Sequence, residues 1–148
     1  MKNIEDILAE IREAKTVLIC GGENSGKTSA IKEIVRDLSL ESTILVLSNH
    51  SDIKSGAFCS NNVDSLYKPK DCTNVGLKYL DTDDEYIFID ERCDNIEEIK
   101  ENIDKKLIFV ATIKDKESIP TYVKTYDLVI EVSKDEDGNA LFLNSYKR

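Results

Sequence analysis

Gly21-Gly22-Glu23-Asn24-Ser25-Gly26-Lys27-Thr28 fits the phosphate-binding pattern G-x-x-x-x-G-K-[ST] at every fixed position. With ordinary residue frequencies, a chance match in a chain of 148 residues is roughly a half-per-cent event. The flanks make accident less credible still. Upstream, the apolar run Thr16-Val17-Leu18-Ile19-Cys20 predicts a buried strand. Downstream, Ile31, Ile34, Val35 and Leu38 recur at helical spacing, so the order is strand, loop, helix. Glycines let the backbone wrap an anion with its N–H groups pointing inward, and the helix N-terminus adds positive potential. Gly21, Gly22, Glu23, Asn24, Ser25, Gly26, Lys27, Thr28 and the adjoining Ser29 are therefore the candidate nucleotide-binding set. Lys27 is expected to reach the β- and γ-phosphates, and the Thr28 hydroxyl to ligate magnesium.

Composition narrows what surrounds this loop. The length suits one α/β domain, residues 1–148, with an N-terminal helix over residues 1–15 packed on it. Hydrophobic residues make up 41% and charged residues 33%, and no apolar run approaches a membrane span. The N-terminus alternates charges where a secretion signal would be apolar, which points to a cytoplasmic protein. Net charge is −9 and no basic stripe forms, so nucleic acid is not expected as a direct partner. Cys20, Cys59, Cys72 and Cys93 contain no C-x-x-C pair, which excludes zinc-ribbon and thioredoxin-type spacings and leaves reduced thiols.

Along the chain, Ile4, Ile7, Leu8 and Ile11 share one face of the first helix, with Asn3 as its cap. The phosphate-loop helix should end near Leu40. Thr43-Ile44-Leu45-Val46-Leu47-Ser48 predicts a strand buried on both faces. Residues 49–62 read as a polar loop holding the single histidine, His50. Residues 75–80 suggest a short helix after a break at Pro69. The second informative stretch is Glu85-Tyr86-Ile87-Phe88-Ile89-Asp90-Glu91, apolar residues running straight into two acids. Alone such a strand is common; downstream of a phosphate loop it has the form of a Walker B element. Asp90 would hold magnesium through water, and Glu91 would orient and polarise the attacking water. The acid pair also favours the additional-strand division of P-loop proteins. Residues 95–103 predict a helix, residues 106–112 a buried strand, residues 120–126 a short helix, and residues 127–132 a further strand. Thr112, ending its strand, sits where a polar residue can sense the γ-phosphate. Asp137-Gly138 signals a turn, with residues 140–146 returning as the second arm of a hairpin. Alternating strands and helices predict a mainly parallel α/β sheet in a three-layer sandwich, with the site at the strands' carboxyl ends.

With these pieces in place the chain resembles the RecA-like core of type II and type IV secretion (traffic) ATPases, a group of P-loop NTPases. The resemblance rests on VLICGGENSGKTSAIKEIV, TILVLS, IFIDER, LIFVAT and the closing DLVIEVSKDEDGNALFLNSYKR, which is similar to their terminal β-hairpin. It implies ATP and Mg2+ as cofactors, magnesium-dependent hydrolysis with Glu91, Lys27 and Thr112 as catalytic residues, and Thr28 and Asp90 at the metal. It also implies assembly with further copies, or with a protein partner that supplies an arginine. The chain departs from the family where acids should follow the second strand, since Ser48-Asn49-His50-Ser51-Asp52 stands there. Thymidine-kinase-like enzymes share the phosphate loop and the IDE element, but typically carry paired zinc cysteines near the C-terminus, absent here. A nucleotide-dependent binding module with little turnover is the third reading. Among the arginines, Arg36 lies late on the loop helix, about 13 Å along its axis from Lys27, too far to reach the γ-phosphate.

Overall fold

A computed structural model describes residues 1–49, 62–90 and 92–148. His50, Asp52, Cys59 and Glu91 lie outside these residues. The chain runs α1 (Ile4–Glu13), β1 (Thr16–Gly21), α2 (Lys27–Leu38), β2 (Ile44–Ser48), β3 (Val63–Tyr67), β4 (Tyr86–Ile89), α3 (Ile96–Asn102), β5 (Lys106–Thr112), α4 (Ile119–Thr125), β6 (Leu128–Lys134) and β7 (Ala140–Lys147). The strands form one sheet in the order β3-β2-β4-β5-β1-β6-β7. Every pair is parallel except β6 with β7, which closes the sheet as the expected hairpin. β5 lies between β1 and β4, so the additional strand separates the phosphate loop from the acidic strand.

Two apolar layers sandwich the sheet. On one face Ile7 and Ile11 of α1 and Ile31, Ile34 and Val35 of α2 pack on Val17, Ile19, Phe88 and Ile130. On the other, Ile99 and Ile119 from α3 and α4 pack on Leu18, Ile87, Phe109 and Val129. Successive strand residues thus serve opposite faces, as the pleat requires, and burial on both faces explains why β1, β2 and β4 read as unbroken apolar runs. The three-layer α/β sandwich is the architecture expected.

Helix α1 is shorter than predicted because Asn3 caps it, accepting from the Asp6 amide, while Lys2 pairs instead with Phe142 of β7. Glu10 fastens the helix to that strand: its carboxylate accepts from Lys2 Nζ at 2.7 Å and from Ser145 Oγ at 2.7 Å. Helix α2 stops at Leu38, and Leu40 lies 79% exposed beyond it. The 75–80 helix is realised as a single 3-10 turn, Leu77–Leu80.

β3 went unpredicted. Only Val63 of its residues is buried, so the segment lacks the apolar pattern that marks the inner strands. It is an edge strand, held by backbone pairing to β2.

Candidate functional site

The phosphate loop connects β1 to α2, and its shape depends on two glycines in tight quarters. Gly26 caps α2 at φ 80°, a left-handed conformation that costs any residue with a Cβ. A methyl added there would stand 2.9 Å from Lys134 Cβ and 3.2 Å from the Ser133 carbonyl oxygen. Gly21 is equally confined: its Cβ would meet Ser25 Oγ at 2.2 Å and the Val132 carbonyl oxygen at 2.8 Å. Both contacts show β6 pressed directly on the loop. Asn24 also takes positive φ, at 55°. No side chain caps α2, and no acid occupies its first turn. Its leading N–H groups therefore face outward with the helix dipole behind them, as an anion site needs.

Lys27 Nζ donates to the Gly22 carbonyl oxygen at 2.7 Å, with Gly21 O and Ser25 Oγ each at 3.5 Å. The ammonium thus rests among the loop's own oxygens, beside the place where phosphate oxygens would replace them. Residues 23–29 line a cavity of about 700 Å³ together with Thr112, Lys70, Lys134 and Gly138. Thr112 reaches it because the parallel register sets it opposite Gly21. Ser29 lines it too, but its hydroxyl donates to the Gly138 carbonyl oxygen at 3.1 Å, tying α2 to the hairpin turn.

Asp90 is not on the cavity wall. It follows β4, 3% exposed, and its carboxylate accepts from Ser48 Oγ at 2.9 Å. Phe88, two residues earlier, belongs to the layer beneath α2, so strand alternation turns Asp90 toward the same side. Ser48 was missed from the sequence as a functional residue, since a serine ending a strand carries no pattern of its own. It occupies the end of β2, where the secretion ATPases were expected to carry acids.

Lys70 and Lys134 were also missed. The segment after β3 that carries Lys70 is pinned twice to the turn before α3. Asn95 Oδ1 accepts from the Val75 amide at 2.9 Å while Asn95 Nδ2 donates to the Val75 carbonyl oxygen at 2.8 Å. Lys134 belongs to the hairpin strand that packs on Gly26.

Behind the loop, Cys20 is fully buried. Burial, reinforced by the nearby Glu131 carboxylate and offset by Lys27, pushes its thiol up to about 12. It is a packing residue with no nucleophilic character. Cys72 and Cys93 are free thiols, as expected. Among the described residues no group of three or more His, Cys, Asp or Glu side chains converges on a metal position. A cation here would need phosphate oxygens to complete its shell, which is how magnesium reaches most nucleotide sites.

No protein-family model matches the sequence, and no curated protein matches it. Solved structures do match in shape. The VirB11 ATPase of the Brucella suis type IV secretion system, in complex with sulphate, superposes with a TM-score of 0.69 at 12% identity, over 98% of this chain and 53% of that one. The pilus retraction motor PilT with bound ADP gives 0.62 at 13% identity, over 97% of this chain and 52% of that one. The flagellar accessory protein FlaH from Methanocaldococcus jannaschii gives 0.52 at 12% identity, over 95% and 82%. The fold is the RecA-like α/β fold of these chains. This chain spans about half the length of the VirB11 and PilT chains it matches.

Proposed function

We propose that this protein binds ATP with magnesium at residues 21–29 and hydrolyses it, as a minimal core of the secretion-ATPase type. The observation carrying this reading is the loop itself. Lys27, the uncapped start of α2 and Thr112 open on one cavity whose walls are too close for a Cβ at Gly26. Triphosphate fits that donor set: backbone N–H groups and Lys27 for the β- and γ-phosphates and the Thr28 hydroxyl for magnesium, with Asp90, set back from the cavity wall, acting on the metal through water. Magnesium, when bound, would be held by Thr28 and, through water, by Asp90, and would neutralise phosphate charge. Asp90 is oriented for its part by Ser48. Glu91, the next residue in sequence, is proposed to align the attacking water, and Thr112 to report the γ-phosphate. A cytoplasmic setting, with reduced thiols, belongs to the same proposal.

Phosphate release measured with and without magnesium, and with and without added nucleosides, tests the reaction class. Magnesium-dependent, nucleoside-independent release supports an ATPase. Stimulation by a nucleoside identifies a kinase, and binding without release a nucleotide-dependent module. Lys27→Ala should weaken ATP about ten- to a hundredfold, the scale of a charge-assisted contact worth roughly 1.5–3 kcal/mol. Glu91→Gln should leave binding nearly intact and slow release about 10²–10⁴-fold. Unchanged affinity in the first variant, or an unchanged rate in the second, removes the corresponding role.

A further inference from the structure

Phosphoryl transfer needs positive charge over the terminal phosphate, commonly an arginine worth about 10³–10⁵ in rate. Each arginine of this chain stands within ion-pair distance of a carboxylate: Arg12 of Glu41, Arg36 of Asp37, Arg92 of Asp94 and Arg148 of Asp127. None lines the phosphate cavity, whereas Lys134 and Lys70 do. Lys134 stands two residues beyond Val132, which packs in the layer beneath α2, so the pleat directs Lys134 to the loop's side of the sheet. Its root sits against the loop, where β6 packs on Gly26 and the hairpin turn accepts from Ser29. Its ammonium rides a flexible four-carbon stem from that root. Lys70 lines the same cavity from the segment after β3, which Asn95 holds at Val75. Among the described residues neither lysine is tied to a carboxylate, unlike the arginines.

We propose that Lys134 is the chain's own counter-charge for the terminal phosphate of ATP, with Lys70 facing it across the cavity. This rests on the reading of the cavity as an ATP site. In the reaction a water oxygen bonds to the γ-phosphorus as the bond to the β–γ bridging oxygen breaks. The electron pair leaves on the β-phosphate of ADP, and the water proton ends in solution. Lys134 transfers no proton; it lowers the energy of the equatorial γ-oxygens as charge develops on them. On this proposal the counter-charge comes from within the chain instead of from a neighbour's arginine.

The decisive comparison is between triphosphate and diphosphate. Calorimetric titration of the full chain with Mg–ATP and Mg–ADP should show Lys134→Met weakening ATP about ten- to a hundredfold with ADP changed less than about twofold. Lys134→Arg should restore ATP affinity, which a merely structural defect would not allow. Lys70→Met should move in the same direction as Lys134→Met. Lys27→Ala, by contrast, should weaken both nucleotides, since its partners include the β-phosphate. Wild-type phosphate release per molecule should stay constant across protein concentration. Equal loss of ATP and ADP in Lys134→Met, or failure of Lys134→Arg to rescue, overturns the role of Lys134 while leaving the ATP site standing. So does a specific activity that climbs with concentration, which places the cation on a second copy. Failure of the wild type to bind either nucleotide overturns the site and the proposal together.

Discussion

Gly26→Ala isolates the fit between the phosphate loop and the hairpin. Two costs apply at this position. Holding an alanine at φ 80° is worth about 1–2 kcal/mol, the usual left-handed penalty. The added methyl then stands 2.9 Å from Lys134 Cβ and 3.2 Å from the Ser133 carbonyl oxygen, so the hairpin strand must retreat. Overpacking of that kind costs typically 1–3 kcal/mol. Gly138→Ala supplies the internal control. Gly138 has φ 84° but nothing within 4 Å of its absent Cβ, so only the backbone penalty of about 1–2 kcal/mol applies. Equilibrium urea unfolding of the two variants should therefore differ by about 1–3 kcal/mol, with Gly26→Ala the weaker. ADP titration should separate them further, because the methyl at Gly26 moves the loop itself, while Gly138, which also lines the cavity, has open space for its methyl. Equal losses of stability in the two proteins would refute the claim that β6 bears on the loop.

Two more expectations follow from particular contacts. Ser48→Ala removes a side-chain donor to the buried Asp90 carboxylate, a hydrogen bond to a charged group worth about 1.5–3 kcal/mol; ATP binding should then need more magnesium, and a magnesium titration unchanged from wild type would deny Ser48 its role. Glu10 gives a pH signature: burial raises its carboxyl, but the hydrogen bonds from Lys2 and Ser145 outweigh this and hold it below its ordinary 4.5. Because the unfolded chain binds that proton more readily, the Glu10 contribution is present above pH 4.5 and is lost as pH falls through the lower folded value. Urea midpoints of wild type and Glu10→Gln should converge on acidification, and parallel profiles would show that the Glu10 contacts carry no net stability.

The parts of the fold legible in the sequence were those whose burial writes a pattern. β1, β2, β4 and β5 are covered on both faces and read as apolar runs, and the G-x-x-x-x-G-K-T spacing names its own geometry. β3 was illegible because its partner is a backbone edge and its side chains mostly meet solvent. The site divides the same way. Lys27, Thr28 and Thr112 reach the cavity by local connection or strand register. Ser48, Lys70 and Lys134 matter through approaches between segments far apart in sequence, and no local spacing records those.

Strand order also dictates when the nucleotide pocket can exist during synthesis. β1 hydrogen-bonds to β5 on one side and β6 on the other, so the phosphate loop is made early but its neighbours are made late. Between the appearance of Gly26 and that of Lys134, a ribosome adding 5–20 residues per second takes roughly 5–20 s. Until β5 emerges, Val17, Leu18 and Ile19 form an apolar segment with no strand to join. Such non-local, parallel pairing is intrinsically slow and leaves the waiting segment open to association with other chains. Nucleotide cannot shorten the exposure, because the wall that completes its pocket emerges long after the loop. Protection of the nascent β1 therefore falls to whatever binds unfolded chains in general.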